Sequence, residues 1–103
     1  MFGIKKHIIK MILSEISKYK EITDIIIFGS RAKGNFKKGS DIDIALKGEN
    51  ISFDLVTRLK TKFNQKMMIP YHVDLVHYES ISNNNLIDHI DRAGISIREY
   101  DVQ

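Results

Sequence analysis

The chain has no cysteine, a single proline (Pro70), and no apolar run approaching the length of a membrane span. Without cysteine it forms neither disulfides nor thiolate metal sites, so only imidazole and carboxylate remain as metal ligands. A spanning helix needs about 18 consecutive apolar residues, so no membrane association is expected. Residues 1 to 16 are basic and then apolar, as in a secretory signal. Lys10, Ser14 and Glu15 interrupt that run and no small-residue cleavage site follows, so a cytoplasmic address is expected. An excess of acid is also missing: 16 Lys and Arg face 13 Asp and Glu, a formal charge of +3. That balance suits an anionic ligand or partner without deciding which.

What is present reads as one ordinary globular unit. At 103 residues, 43% hydrophobic and 28% charged, residues 1 to 103 are expected to form a single domain around one core. Apolar residues at three-to-four spacing predict an amphipathic helix over residues 4 to 19. The β-branched run 22 to 28 predicts a central strand buried on both faces, ending at Gly29. Residues 29 to 40, with three glycines, four cations and no acid, predict a loop with room for one helical turn. Residues 41 to 47 alternate, with Ile42, Ile44 and Leu46 on one face and Asp41, Asp43 and Ala45 on the other. A second amphipathic helix is expected over 52 to 66, capped by Asn50 or Ser52. A third strand over 71 to 77, a helix over 83 to 93 stopped by Gly94, and a last strand over 95 to 100 complete the order. The expected fold class is α/β (mixed α+β): a small mixed sheet with helices packed on it, one face left largely open.

Three features carry chemistry. Asp41 and Asp43 lie two apart on a strand and point the same way, Cα atoms roughly 6.5 Å apart. Their mutual repulsion makes them a site for a hard divalent cation such as Mg²⁺ or Mn²⁺, although a lone Asp-x-Asp is more often a polar strand face. Asp74 sits among Val73, Leu75 and Val76, where an unpaired buried carboxylate is costly; it needs a cation, a hydrogen-bond network or a catalytic task. Gly29-Ser30, at a strand end, lets backbone amides approach a phosphate, with Arg31, Lys33, Lys37 and Lys38 close by in sequence. The spacing rules out a P-loop, a G-x-G-x-x-G loop and an EF-hand. His7, His72, His77 and His89 are scattered and receive no ligand role, though His72 shares a strand face with Asp74 and could border the site.

The run from Gly29 to Gly34, a spacer of ten residues (31 to 40), and Asp41-Ile42-Asp43 resemble the signature of the polymerase-β-like nucleotidyltransferases. Within that superfamily the G-S-R-A-K-G and S-D-I-D forms are similar to the minimal nucleotidyltransferases, and Asp74 matches the later strand carboxylate. The resemblance implies an enzyme that transfers a nucleoside monophosphate, AMP from ATP, to a hydroxyl. It implies two divalent ions held by Asp41, Asp43 and Asp74, with Asp74 also the general base. Gly29 and Ser30 would hold the β- and γ-phosphates, with Arg31 and Lys33 neutralising charge. Small members of the family work beside a helical HEPN-type toxin, as antitoxins that modify a toxin tyrosine, so a hetero-oligomer is expected. Three rivals stand beside this reading: a nucleotide-binding subunit active only with its partner, a transferase acting on a small molecule or RNA end, and a basic nucleic-acid-binding module, which is compatible with the charge but not favoured.

Overall fold

The computed structural model describes residues 2 to 98. Helix α1 (Lys6–Ile16) leads into strand β1 (Asp24–Phe28), the short helix α2 (Gly29–Lys33) and strand β2 (Ile42–Lys47). Helix α3 (Phe53–Thr61) widens into a π-helical turn (Lys62–Lys66), followed by β3 (Val73–His77), a 3₁₀ turn (Tyr78–Ser80), α4 (Asn84–Ala93) and β4 (Ile95–Ser96). The four strands form one mixed sheet in the order β3-β2-β1-β4. β1 runs antiparallel to β2 and β4, while β2 and β3 are parallel. This is the expected architecture. The expected strand 95 to 100 is realised at Ile95–Ser96; residues 99 and 100 lie outside the described residues.

The period-two patterns decide which layer each side chain joins. Ile25, Ile27, Ile42, Ile44, Leu46, Val73 and Leu75 point to one face, where α1, α3 and the π turn bring Ile8, Ile12, Leu55, Leu59 and Phe63 against them. The other face buries Ile26, Phe28 and Ala45 beneath Ile90 of α4. β1 is thus buried on both faces, as its unbroken apolar run predicts. The second sheet face is only part-covered: α4 lies over its β1 end, and the acidic positions of β2 and β3 fall beyond that cover.

Helix ends follow local chemistry. The Ser52 hydroxyl accepts from Leu55 N–H at 3.0 Å, which selects it over Asn50 as the cap of α3. Asn83 caps α4 in the same way. Gly94 does follow the last residue of α4, but not in the left-handed conformation of a glycine cap, since its backbone is extended at φ −69°, ψ 147°. Its lack of a side chain serves packing instead: a Cβ there would meet Ile90 O at 2.5 Å and Ile26 Cγ2 at 2.6 Å. The first helix begins at Lys6 rather than residue 4, since Lys5 is extended at φ −64°, ψ 144°, yet Ile4 remains in the core.

The π turn has a visible purpose. It places the Asn64 side chain against the outer edge of β3, where Nδ2 donates to Val73 O and Oδ1 accepts from Val73 N–H, both at 2.8 Å. Asn64 thus mimics a neighbouring strand for one residue. Replacing it by Leu removes both partners, and Asn64→Leu should lower stability by about 1–3 kcal/mol in chemical denaturation. An unchanged unfolding midpoint would show that the clamp is not needed to hold β3.

Candidate active site

The parallel register sets Asp43 directly opposite Asp74. Paired residues on neighbouring strands share a face and lie about 4.8 Å apart, so both carboxylates rise from the part-covered side of the sheet. Asp41 stands exposed one residue before β2 begins. Burial pushes the Asp43 carboxyl above its usual range, the negative charges of Asp74 and Asp41 push it further, and His72 and His89 pull it partly back. Asp41 and Asp74 are therefore both electrostatic neighbours of Asp43.

Asp74 differs from its expected environment. It was expected to be buried within its strand, but β3 is an outer strand and the Asp74 side chain is 42% exposed. The carboxylate pairs with Lys60 Nζ of α3 at 3.4 Å. Asp43 leans the other way, its Oδ2 resting against the backbone of Gly29, where a Cβ would collide with it. Gly29 also takes φ +75°, a conformation that disfavours any side chain. Both facts require glycine at the turn from β1 into α2, and together they bring the Gly29-Ser30 turn against the acidic pair.

Among the described residues, no three acidic or imidazole side chains converge into a ready metal cage. The donor set nonetheless suits a hard divalent ion. It offers carboxylate oxygens only, two of them in register on adjacent strands, and their mutual repulsion is what a cation would relieve.

The basic loop divides into two roles. Lys33 is exposed at the end of α2, and Lys37 and Lys38 are exposed further along. Arg31 is not a free cation facing solvent, as the loop sequence suggested, but is buried with 3% exposure. Its Nε and Nη2 donate to Ser40 O at 3.1 and 2.7 Å, and Nη1 donates to Phe2 O at 2.9 Å. Phe36 and Tyr71 lie under its guanidinium at 5.0 and 4.7 Å. Arg31 folds the ten-residue spacer back on itself and delivers Ser40-Asp41 to the start of β2.

Sequence reasoning gave no role to His89. Its Nε2 accepts the Gly29 N–H at 3.1 Å and its ring meets Phe28 edge-on, so α4 is fastened to the turn beside Asp43. Helical spacing carried the signal: His89 falls three residues after Leu86 and four before Ala93, on the inward face. His72 is exposed next to Val73 and acts on Asp43 electrostatically, consistent with a residue at the border of the site. His77 bridges Gly48 O and Ser80 Oγ, both at 2.7 Å, and is structural.

The family model "Polymerase beta, Nucleotidyltransferase" matches residues 10–103. The chain belongs to this family of nucleotidyltransferases. It is 38% identical over 71 residues to "Putative protein adenylyltransferase MJ0604" of Methanocaldococcus jannaschii, covering 68% of this chain and 69% of that protein. Two solved structures share the fold. One is a toxin–antitoxin crystallised with AMP-PNP (TM-score 0.71, 23% identity, 91% of this chain and 73% of that one). The other is a tri-AMPylated Shewanella oneidensis HEPN toxin in complex with MNT antitoxin (TM-score 0.60, 21% identity, 85% and 70%). No helix among the described residues is long and apolar enough to cross a membrane.

Folded Asp43 holds its proton more tightly than the unfolded chain does, so stability falls as pH rises through its raised pKa. Asp43→Asn should accordingly raise the melting temperature of the metal-free protein at neutral pH. The gain should vanish as the pH drops below the ordinary carboxylate range; a gain that persists in acid would assign it to packing. Arg31→Lys loses the paired donation to Ser40 O and the stack, and should destabilise the fold by about 1–3 kcal/mol. An unaltered denaturation midpoint would free Arg31 for a role at the ligand.

Proposed function

We propose that this nucleotidyltransferase moves AMP from ATP onto a hydroxyl of a partner protein, a tyrosine of a HEPN-type toxin, and so acts as the antitoxin of a cytoplasmic pair. The observation that carries the reading is the in-register juxtaposition of Asp43 and Asp74, with Asp41 one step away and the Gly29-Ser30 turn pressed against Asp43. The M. jannaschii relative named as a protein adenylyltransferase supports a protein acceptor, and the AMPylated toxin complex supports the pairing.

Each residue then has a task set by its place. Ser30 and the amides following Gly29 hold the β- and γ-phosphates, and exposed Lys33 adds positive charge beside them. Asp41, Asp43 and Asp74 are the residues that would hold Mg²⁺ or Mn²⁺, two ions by family resemblance. Such ions, when bound, neutralise the triphosphate and make the acceptor hydroxyl more acidic. The acceptor oxygen attacks the α-phosphorus in line, the new P–O bond forms as the bond to the β-phosphate oxygen breaks, and pyrophosphate leaves. The hydroxyl proton passes to Asp74, which is half-exposed and reachable from solvent. His89 and Arg31 touch no reacting atom in this scheme; they fix the two turns that present Ser30 and Asp41.

The test is transfer of label from α-labelled ATP, with Mg²⁺, to a HEPN-type partner protein. Label should appear on a partner tyrosine and disappear with a chelator. Asp43→Asn should slow transfer at least about 100-fold, roughly 2.7 kcal/mol of transition-state stabilisation. Equal labelling by Asp43→Asn, or an unlabelled partner, would defeat the reading.

A further inference from the structure

Lys60 of α3 is the ion-pair partner of Asp74, Nζ to Oδ1 at 3.4 Å. One clamp fixes the backbones of both elements that carry the pair. Asn64 Nδ2 donates to Lys60 O at 2.9 Å and to Val73 O at 2.8 Å, while its Oδ1 accepts from Val73 N–H. Leu59, next to Lys60, is sealed in the core. The root of the lysine is therefore anchored by helix packing and by Asn64, and Asp74 directly follows the clamped residue of β3. The far end is not so confined. The Lys60 side chain is 44% exposed and, with His72, lines a groove of about 630 Å³ between β3 and α3, so the ammonium has room to swing away.

We propose that Lys60 is the resident counter-ion of Asp74 in the metal-free protein, and that a divalent cation completes its site by displacing the Lys60 ammonium. The inference rests on Asp41, Asp43 and Asp74 being the metal set of the proposed transferase. Lys60 supplies one positive charge to a carboxylate that stands in register with Asp43, and so offsets part of the repulsion there. A half-exposed ion pair is weak, worth a factor of about five at most in an equilibrium. A divalent ion brings twice the charge and binds carboxylate oxygen directly. Two cations in contact with one carboxylate oxygen repel each other, so the ammonium is the one released. Lys60 thus acts as a positioning residue. It keeps Asp74 engaged until a cation arrives, and it sets a threshold for metal that arrives without a triphosphate to share its binding.

The probe is Mn²⁺ alone, titrated into the full chain, with free Mn²⁺ read from its aqueous paramagnetic resonance signal. Lys60→Met should tighten Mn²⁺ binding about 2- to 5-fold, the range set by the strength of the lost pair. Lys60→Arg, which keeps the charge, should bind no tighter than the parent. Asp74→Asn should weaken binding, and in that background the gain from Lys60→Met should be lost. Equal tightening by Lys60→Met with and without Asp74 would reduce Lys60 to a nearby charge and overturn the proposal. No tightening by Lys60→Met would also overturn it; the metal set would still stand if Asp74→Asn weakened binding in the same titrations. A parent that binds no Mn²⁺, or binding indifferent to Asp74→Asn, would overturn both the role of Lys60 and the metal reading beneath it.

Discussion

Two aspartates paired in register on adjacent strands are the costly feature around which this small protein is arranged. Each repels the other, and solvent screens part of that repulsion at the half-exposed Asp74. Parallel pairing of β2 with β3 sets the two on one face, and burial, with the charges of Asp74 and Asp41 added, raises the Asp43 pKa. Lys60 steadies Asp74 on one side, and the bare backbone of Gly29 accommodates Asp43 on the other. Negative charge concentrated beside a glycine–serine turn is the feature on which the proposed gathering of a cation and a polyphosphate rests.

Residues remote from the chemistry hold that arrangement in place. Arg31 spends its donors on the Ser40 and Phe2 carbonyls, which closes the spacer and fixes where β2 starts. His89 binds the Gly29 amide from α4, and Asn64 clamps the residue before Asp74 from the π turn. The Gly29-Ser30 turn, the start of β2 and the residue before Asp74 thus each have a buried or half-buried polar side chain behind them. Such support is what keeps a site of like charges from spreading apart.

The sequence made the element order, the sheet class, the double burial of β1 and the Asp41–Asp43 pair legible, because these depend on short-range periodicity and spacing. Asp74 was found by its place in an apolar run, but its burial was misjudged. Val73 and Leu75 face the core while Asp74 does not, and whether a strand lies at the edge depends on sheet order, which local pattern does not encode. Arg31 looked like one cation among four, since the carbonyls that bind it are distant or across a loop. The clamping roles of Asn64 and His89 depend on tertiary contacts spanning 9 and 60 residues. Gly94 marked the right boundary for a different reason, packing against Ile26 rather than a left-handed turn.

The account stands on Asp41, Asp43 and Asp74 being one cation-binding set. Its most direct test is the anomalous diffraction of Mn²⁺ in crystals grown with a non-hydrolysable ATP analogue. The account predicts a peak within about 2.0–2.3 Å of Asp43 and Asp41 oxygens, with Asp74 turned from Lys60 toward it and the β- and γ-phosphates at Gly29-Ser30. Manganese bound elsewhere, with Asp74 still paired to Lys60 and the analogue away from the Gly29-Ser30 turn, would contradict it.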